Sequence, residues 1–243
     1  MMPTEFTTGV IRPIEVYKES WELIKDQYWI IFAITLVGML IGGAVPIVLI
    51  GPMICGIYLC LFQKINRRPV TFELLFKGFE YFLPSLIVSV FIMVPVFILI
   101  FTIYIPMIGM AIAGPKMSGS EAVPLFVGMI IFEFIVAVVM VCFHTLLMFA
   151  FPLIVDRKLS GVQAMKVSAK AVWHNLAGVA GLFGVGFVVG IVGYLALCVG
   201  LYLVMPLIFM SNAVAFRKIF PAIVPDLMDP PPPSEYTGFQ NAA

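Results

Sequence analysis

The chain has 243 residues, of which 62% are hydrophobic and only 11% are charged. Soluble proteins are about 45–50% apolar and about 25% charged, and a mean hydropathy of +1.12 leaves too few polar side chains to cover a water-facing surface. The composition excludes a soluble enzyme, a nucleic-acid-binding protein and a disordered protein. It predicts an all-α, polytopic transmembrane helix bundle, and the net charge of +1 would not attract acidic partners.

Four long apolar runs predict the transmembrane helices. They cover residues 29–62, 83–114, 124–155 and 176–216. One crossing needs about 20 residues, and every run is longer than that. The first run is predicted to form a hairpin of two short helices that breaks near Gly42, Gly43 and Pro46. The last run is predicted to form a second hairpin, with its turn near Val199 to Pro206.

The basic residues decide how often each run crosses the membrane. Thirteen of the fourteen fall in four clusters that flank the runs: Arg12, Lys18, Lys25; Lys64, Arg67, Arg68, Lys77; Arg157, Lys158, Lys166, Lys170; and Arg217, Lys218. Because cytoplasmic loops concentrate Lys and Arg, these clusters are expected inside, and Lys116, between the middle runs, outside. Two crossings for the first and last runs and one for each middle run give six, with both termini cytoplasmic. A re-entrant first run would leave four.

The ends of the chain suggest its location. Because the first residues do not resemble a removable signal peptide, the first apolar run is expected to stay in the membrane, and the bacterial inner membrane is the predicted location. Residues 1–220 are predicted to form one integral membrane domain, and residues 221–243 a Pro-rich cytoplasmic tail. The four prolines Pro230 to Pro233 favour polyproline II or a solvated tail, with a docking peptide as the alternative.

Amphipathic segments precede three of the apolar runs and predict interfacial helices over residues 13–28, 69–82 and 160–175. In the first segment an apolar stripe recurs at helical spacing, at Ile14, Tyr17, Trp21, Ile24 and Tyr28. In the third, Ser160 and Gln163 predict a capping box. Such helices lie in the headgroup region of a bilayer. They serve either as braces for the bundle or as a cytoplasmic platform that docks a partner or senses anionic lipid.

Cations beside these helices are the candidate contacts to phospholipid headgroups. They are Lys64, Arg67, Arg68, Arg157 and Lys158. The concentration of basic residues on the cytoplasmic side would by itself also place cations here.

Several short motifs carry a family resemblance. They are Pro152 with Asp156, Ala164 with Ser168, Asn175, Gly51-Pro52 with Gly56, and Arg68-Pro69 with Phe72 through Phe79. Together they resemble the six-helix integral membrane proteins of bacteria and archaea often called YciC-like, and the related membrane domain of some glycerophosphodiester phosphodiesterases. The resemblance covers most of residues 13–220 and implies the fold. The acids and histidines of the phosphodiesterase domain have no counterpart here, so that activity is not implied.

Glu133 and His144 are the strongly ionisable side chains within the apolar runs. An acid at the centre of a membrane helix costs about 2.5–3.5 kcal/mol on insertion scales, so it is a functional suspect. The spacing places both residues on one helix face, with Thr145 beside His144. One interpretation is a proton or ion path. The other is local bonding, in which His144 donates to a backbone carbonyl and Glu133 pairs with a hydroxyl of the preceding helix, which carries Ser85, Ser89, Thr102 and Tyr104.

Two further patterns bear on function. No paired carboxylates, Ser–His–Asp set, HExxH motif or phosphate-binding glycine loop occurs, and Cys55, Cys60, Cys142 and Cys198 lack CxxC spacing. We therefore expect no enzyme, no metal and no cofactor. Glycines four residues apart allow close packing of membrane helices, and these are Gly38 with Gly42 and Gly186 with Gly190.

The sequence therefore predicts a non-enzymatic scaffold or accessory subunit of a membrane complex. The alternative is a small transporter or permease component that uses Glu133 and His144. The expected partners are the lipid bilayer and either another membrane protein or a second copy of the chain, and not nucleic acid.

Overall fold

A computed structural model describes residues 5–113, 117–196 and 199–221. Lys116, Cys198 and the tail after Pro221 lie outside the described residues. The described residues form helices and no strand, which confirms the all-α fold class. The α-helices are α1 Pro13–Ile24, α2 Tyr28–Ala44, α3 Pro46–Ile65, α4 Glu73–Phe76, α5 Phe82–Ala113, α6 Gly119–Leu146, α7 Ala150–Arg157, α8 Gly161–His174, α9 Leu176–Leu195 and α10 Val199–Ile219.

Six helical segments in the described part of the chain are long and apolar enough to cross a membrane. They contain α2, α3, α5, α6, α9 and α10, so the chain is a membrane protein built as a helical bundle. The first apolar run forms two helices, which are separated only by Val45. This break lies where Gly42, Gly43 and Pro46 predict it.

The predicted turn of the last run is wrong. Helix α9 ends at Leu195 and α10 begins at Val199, so Pro206 lies inside α10. A Cβ atom on Gly193 would lie 2.9 Å from the carbonyl oxygen of Gly200, and one on Gly200 would lie 2.5 Å from that of Gly193. The two backbones meet closely here, so the turn is set by this glycine pair and not by the proline.

Three short segments join the membrane helices into a closed arrangement. Helix α1 packs on α9 and α10, α4 and the 3₁₀ turn Lys77–Tyr81 pack on α3, and α8 packs on α5, α6 and α7. The second and third segments therefore contact the membrane helices that directly precede them in the chain, and the first segment, α1, contacts the last two membrane helices. The helices between these segments form three groups, which are α2 with α3, α5 with α6 and α7, and α9 with α10. The last helix of each group contains a proline followed two residues later by isoleucine, as Pro52-Met53-Ile54, Pro152-Leu153-Ile154 and Pro206-Leu207-Ile208.

Only part of the apolar stripe predicted for α1 is buried in the protein. Tyr17 and Ile24 are buried against the protein, whereas Ile14 and Trp21 are exposed. The division arises because α1 packs along α9 and α10 and does not lie alone on a bilayer surface. The capping box predicted at the start of α8 is present, with the Ser160 amide donating to Gln163 Oε1 at 3.4 Å.

The tightest contact between segments joins α3 to the residues around α4. A Cβ atom on Gly56 would lie 1.9 Å from the carbonyl oxygen of Leu75, and one on Gly78 would lie 2.0 Å from that of Pro52. Backbone touches backbone at both points, so no larger side chain fits. This contact fixes α4 against the bundle.

Helices α5 and α6 extend beyond their neighbours. A Cβ atom on Gly51 would lie 2.5 Å from Ser89 Oγ, and α3 begins only five residues earlier, at Pro46. The remainder of α5 therefore passes the start of α3, and none of residues 91–112 and 120–146 is buried. We call residues 93–112 of α5 and 120–143 of α6 the apolar arm.

Candidate functional site

The four basic clusters meet in one region of the fold. Lys64 Nζ lies 2.6 Å from Asp26 Oδ2, and Lys218 Nζ lies 2.7 Å from Glu19 Oε2. A third pair links α10 to α7, as described below, so each cluster is joined to another by an ion pair. We call this region the basic end, and its cations are Lys25, Lys64, Arg67, Arg68, Arg157, Lys158, Arg217 and Lys218.

Asp156 is the centre of a buried charge network at the basic end. Its carboxylate oxygens lie 3.0 Å from Arg157 Nε and 2.7 Å from Arg217 Nη1. Arg157 also donates through Nη2 to the carbonyl oxygen of Pro221 at 2.5 Å, and the Arg217 guanidinium lies 4.3 Å from the centre of the Phe62 ring. Buried charges need such pairing, so Asp156 holds the end of α10 against the end of α7.

The predicted headgroup contacts separate into buried and exposed cations. The prediction is wrong for Arg157, because its side chain is fully buried against Asp156. Lys64 is also largely inaccessible, with 11% of its side chain exposed. Arg67, Arg68 and Lys158 are exposed. Lys64 faces a carboxylate from a distant part of the chain, and Arg157 is buried where its neighbour Asp156 meets Arg217 of α10. Local sequence does not reveal these distant contacts.

Two of the exposed cations occupy strained backbone positions. Arg67 has φ of 55° and Lys158 has φ of 53°, in the left-handed region that glycine usually fills after a helix. The Arg67 amide donates to the carbonyl of Lys64 at 2.9 Å, and the Arg68 amide donates to that of Gln63 at 3.0 Å. These two bonds close α3 as a Schellman motif, with an arginine in the glycine position.

Two polar residues of the motifs that carry the resemblance bind backbone groups. Ser168 Oγ donates to the carbonyl of Leu146 at 2.7 Å and accepts from the amide of Phe149 at 3.1 Å. It therefore satisfies the backbone where α6 ends and α7 begins. Asn175 Oδ1 accepts from the Gly9 amide at 2.8 Å, which holds the segment before α1 to the junction of α8 and α9.

The Glu133 carboxylate has no hydrogen-bond partner in the described part of the chain, although both oxygens are buried. The hydroxyl partner expected from α5 is not supplied there. Ser85, Ser89 and Thr102 each donate to a carbonyl of their own helix. In a helix, a hydroxyl three or four residues along from a carbonyl reaches that carbonyl readily, so these hydroxyls are already bonded within α5.

His144 and Thr145 make contacts of their own. His144 Nδ1 lies 2.8 Å from the carbonyl oxygen of Met140, and Nε2 lies 3.1 Å from that of Ile92. Thr145 donates to the carbonyl of Val141 at 2.7 Å. None of these contacts involves Glu133, so the three predicted site residues share a helix but are not joined into one site. His144 instead ties α6 to α5 at the base of the apolar arm.

The predicted packing glycines differ in their surroundings. An added Cβ atom would lie 3.0 Å from Ile57 Cδ1 at Gly38, 3.1 Å from the Cα of Ile50 at Gly42, and 2.7 Å from Tyr17 Oη at Gly186. At Gly190 it would meet nothing within 4 Å. The prediction of close packing is therefore wrong for Gly190, because α9 and α10 approach each other further along, at Gly193.

No group of three or more His, Cys, Asp and Glu residues is placed to hold a metal ion within residues 5–113, 117–196 and 199–221. Cys55, Cys60 and Cys142 are free thiols. Comparisons of the chain with protein-family models, with curated proteins and with solved structures find no match. The candidate functional features are therefore the basic end and the apolar arm.

Proposed function

We propose that the chain is a non-enzymatic scaffold or accessory subunit of a membrane complex, and that the apolar arm is the surface that binds another membrane protein. The observation that supports this function is the length of the hairpin, whose residues 93–112 and 120–143 the rest of the bundle leaves uncovered. Helix α5 has 32 residues, which at about 1.5 Å each gives about 48 Å, against a hydrocarbon core of about 30 Å.

Tilting does not remove the excess length. At about 40°, the steepest tilt commonly seen, α5 still reaches about 37 Å along the membrane normal. Part of the hairpin therefore lies outside the hydrocarbon. Large apolar side chains are exposed along its whole length, from Phe91 to Ile112 in α5 and from Val123 to Val141 in α6. Only the end of the hairpin passes the hydrocarbon, and apolar surface outside lipid marks a site for a protein partner.

The remaining parts of the proposal come from the sequence. The basic end is placed on the cytoplasmic side of the bacterial inner membrane, because Lys and Arg concentrate there, and the Pro-rich tail follows it. Membership of the YciC-like group is part of the proposal and is supported by the motifs around Pro152, Asp156 and Ser168. The absence of a catalytic set from the sequence supports a non-enzymatic role.

Photo-crosslinking of the full chain in its native membrane tests the binding surface. A photoreactive phenylalanine analogue is placed at Phe126 or Phe134 in the arm, and at Phe187 in α9 as an exposed control. We expect both arm positions to yield an adduct with the same integral membrane protein, identified by mass spectrometry, and Phe187 to yield lipid adducts. Lipid adducts at all three positions would contradict the proposal.

A second candidate function is transport, which the unpartnered Glu133 carboxylate favours. An acid without a partner at membrane depth is the expected feature of a proton or ion pathway. The test is dissipation of a pH gradient across vesicles that contain the purified chain. Transport predicts flux above that of empty vesicles, and its loss in Glu133→Gln. Equal flux in empty, wild-type and Glu133→Gln vesicles would contradict it.

A further inference from the structure

An open cavity of about 760 Å³ lies at the basic end, between the end of α1 and the loop after α3. Its volume is within the range of small-molecule sites, about 300–1,000 Å³. Most of the residues that line it are charged, and they are Glu19, Glu22, Lys25, Asp26, Lys64, Arg67 and Arg68.

Ion pairs neutralise most of this lining. Glu19 pairs with Lys218, Glu22 with Lys25, and Asp26 with Lys64. Among the described residues no carboxylate lies within ion-pair distance of Arg67 or Arg68. The cavity therefore presents two unneutralised guanidinium groups, beside acids that already have partners.

Aromatic side chains next to this cavity indicate how deep it would lie in a membrane. Lys25, Asp26 and Gln27 line it, and they also line a neighbouring pocket that reaches Tyr28 and Trp29. Trp29 is exposed, and its ring centre lies 5.4 Å from that of Tyr28. Exposed Trp and Tyr side chains gather at the level of the lipid headgroups. The cavity therefore lies at the depth of the lipid phosphates.

The backbone at Arg67 gives an independent indication. Glycine would adopt this left-handed conformation without strain, whereas the chain carries an arginine there, next to a second arginine. Strained positions persist where a side chain is needed for function. The turn therefore points to Arg67, one of the two arginines that the ion pairs leave free.

We propose that this cavity binds the phosphate of an anionic glycerophospholipid through Arg67 and Arg68. Guanidinium groups bind phosphate oxygens through paired, charge-assisted hydrogen bonds. The site is independent of the binding surface proposed for the apolar arm. It would attach the basic end to one leaflet while the arm remains available.

Native mass spectrometry of the full chain, purified in detergent with defined lipids, measures this binding. We expect phosphatidylglycerol to be retained in preference to phosphatidylcholine. The double variant Arg67→Gln/Arg68→Gln is expected to lose the preference by about tenfold, since charge-assisted bonds are the stronger ones. The control Lys166→Gln/Lys170→Gln removes the same charge from exposed residues of α8 and is expected to keep it.

Other outcomes overturn the proposal. An unchanged preference in the arginine variant would show that Arg67 and Arg68 do not bind the lipid, and an equal loss in the α8 control would show attraction by overall charge alone. Inorganic phosphate is added to the wild type to distinguish a lipid headgroup from free phosphate as the occupant of the cavity. A lipid occupant remains bound in its presence, whereas displacement with loss of the lipid preference would assign the cavity to free phosphate. The variant Arg67→Gly keeps the turn and is expected to bind less lipid without loss of fold.

Discussion

The basic end and the apolar arm follow opposite packing principles. Outside the arm, buried charges are paired at the basic end, loops are bonded to side chains, and backbones touch at Gly56 and Gly78. In the arm, no residue is buried. Stability is therefore concentrated in the bundle outside the arm, and the arm contributes surface.

Membrane physics explains the difference. Helices in lipid gain little from apolar contact, because the surrounding tails are equally apolar, and they associate through close backbone packing and polar bonds. The bundle outside the arm uses both kinds of contact. In the arm, an added Cβ atom on Gly109 or Gly128 would meet nothing within 4 Å. The predictions below compare changes in the two regions by thermal unfolding of the full chain in detergent.

The largest effect is expected at Asp156. The change Asp156→Asn leaves Arg157 and Arg217 without a carboxylate in a buried setting, and removing one partner of a buried pair costs about 3–5 kcal/mol. The matched control Glu22→Gln breaks an exposed pair with Lys25 and should cost less than about 1 kcal/mol. Similar losses in the two variants would show that the network at the basic end does not stabilise the fold.

A smaller loss is expected where backbones touch. The change Gly56→Ala places a methyl group against the carbonyl of Leu75, and overpacking of this kind costs about 1–3 kcal/mol. The same change at Gly109 in the arm should be neutral or stabilise the helix by about 0.5 kcal/mol, because alanine is the better helix former. If both variants unfold at the wild-type temperature, the close contact is absent in solution.

Loss of one hydroxyl at the α6–α7 junction comes next. The change Ser168→Ala leaves the Phe149 amide without its acceptor, and an unsatisfied buried group costs about 1–3 kcal/mol. The control Thr145→Ala removes an exposed hydroxyl that bonds only within its own helix, and we expect a change below about 0.5 kcal/mol. Equal effects would contradict the role assigned to Ser168.

The smallest effect has the opposite sign. The change Arg67→Gly relieves a left-handed conformation that costs a non-glycine residue about 1–2 kcal/mol, and it should raise the unfolding temperature by a few degrees. Lys158→Gly should do the same after α7. Arg68→Gly, at a residue without positive φ, should not. Destabilisation by Arg67→Gly would show that the side chain supports the fold.

Some features of the fold could be predicted because they depend on neighbouring residues. The break at Val45 follows from Gly42, Gly43 and Pro46, and the capping box at Ser160 follows from Gln163 three residues later. The shared location of the basic clusters is a consequence of how Lys and Arg distribute around membrane helices.

Other features depend on residues far apart in the chain. Arg157 faces inward because Asp156 and Arg217 meet there, and Gly190 is open because α9 meets α10 at Gly193 and Gly200. The arm is more apolar than α3, but apolar composition alone does not show whether a membrane helix is covered by protein or by lipid. The length of α5 that no neighbouring helix covers depends on where α3 begins beside it, and this is visible only in the folded structure.

Labelling single cysteines tests most directly whether the arm carries the chain from one side of the membrane to the other. In a background without native cysteines, Cys replaces Arg67 at the basic end or Ser118 at the tip of the hairpin. Intact cells are then treated with an impermeant maleimide. We expect position 118 to be labelled in intact cells and position 67 only after permeabilisation. Labelling of both positions from the same side would contradict this expectation.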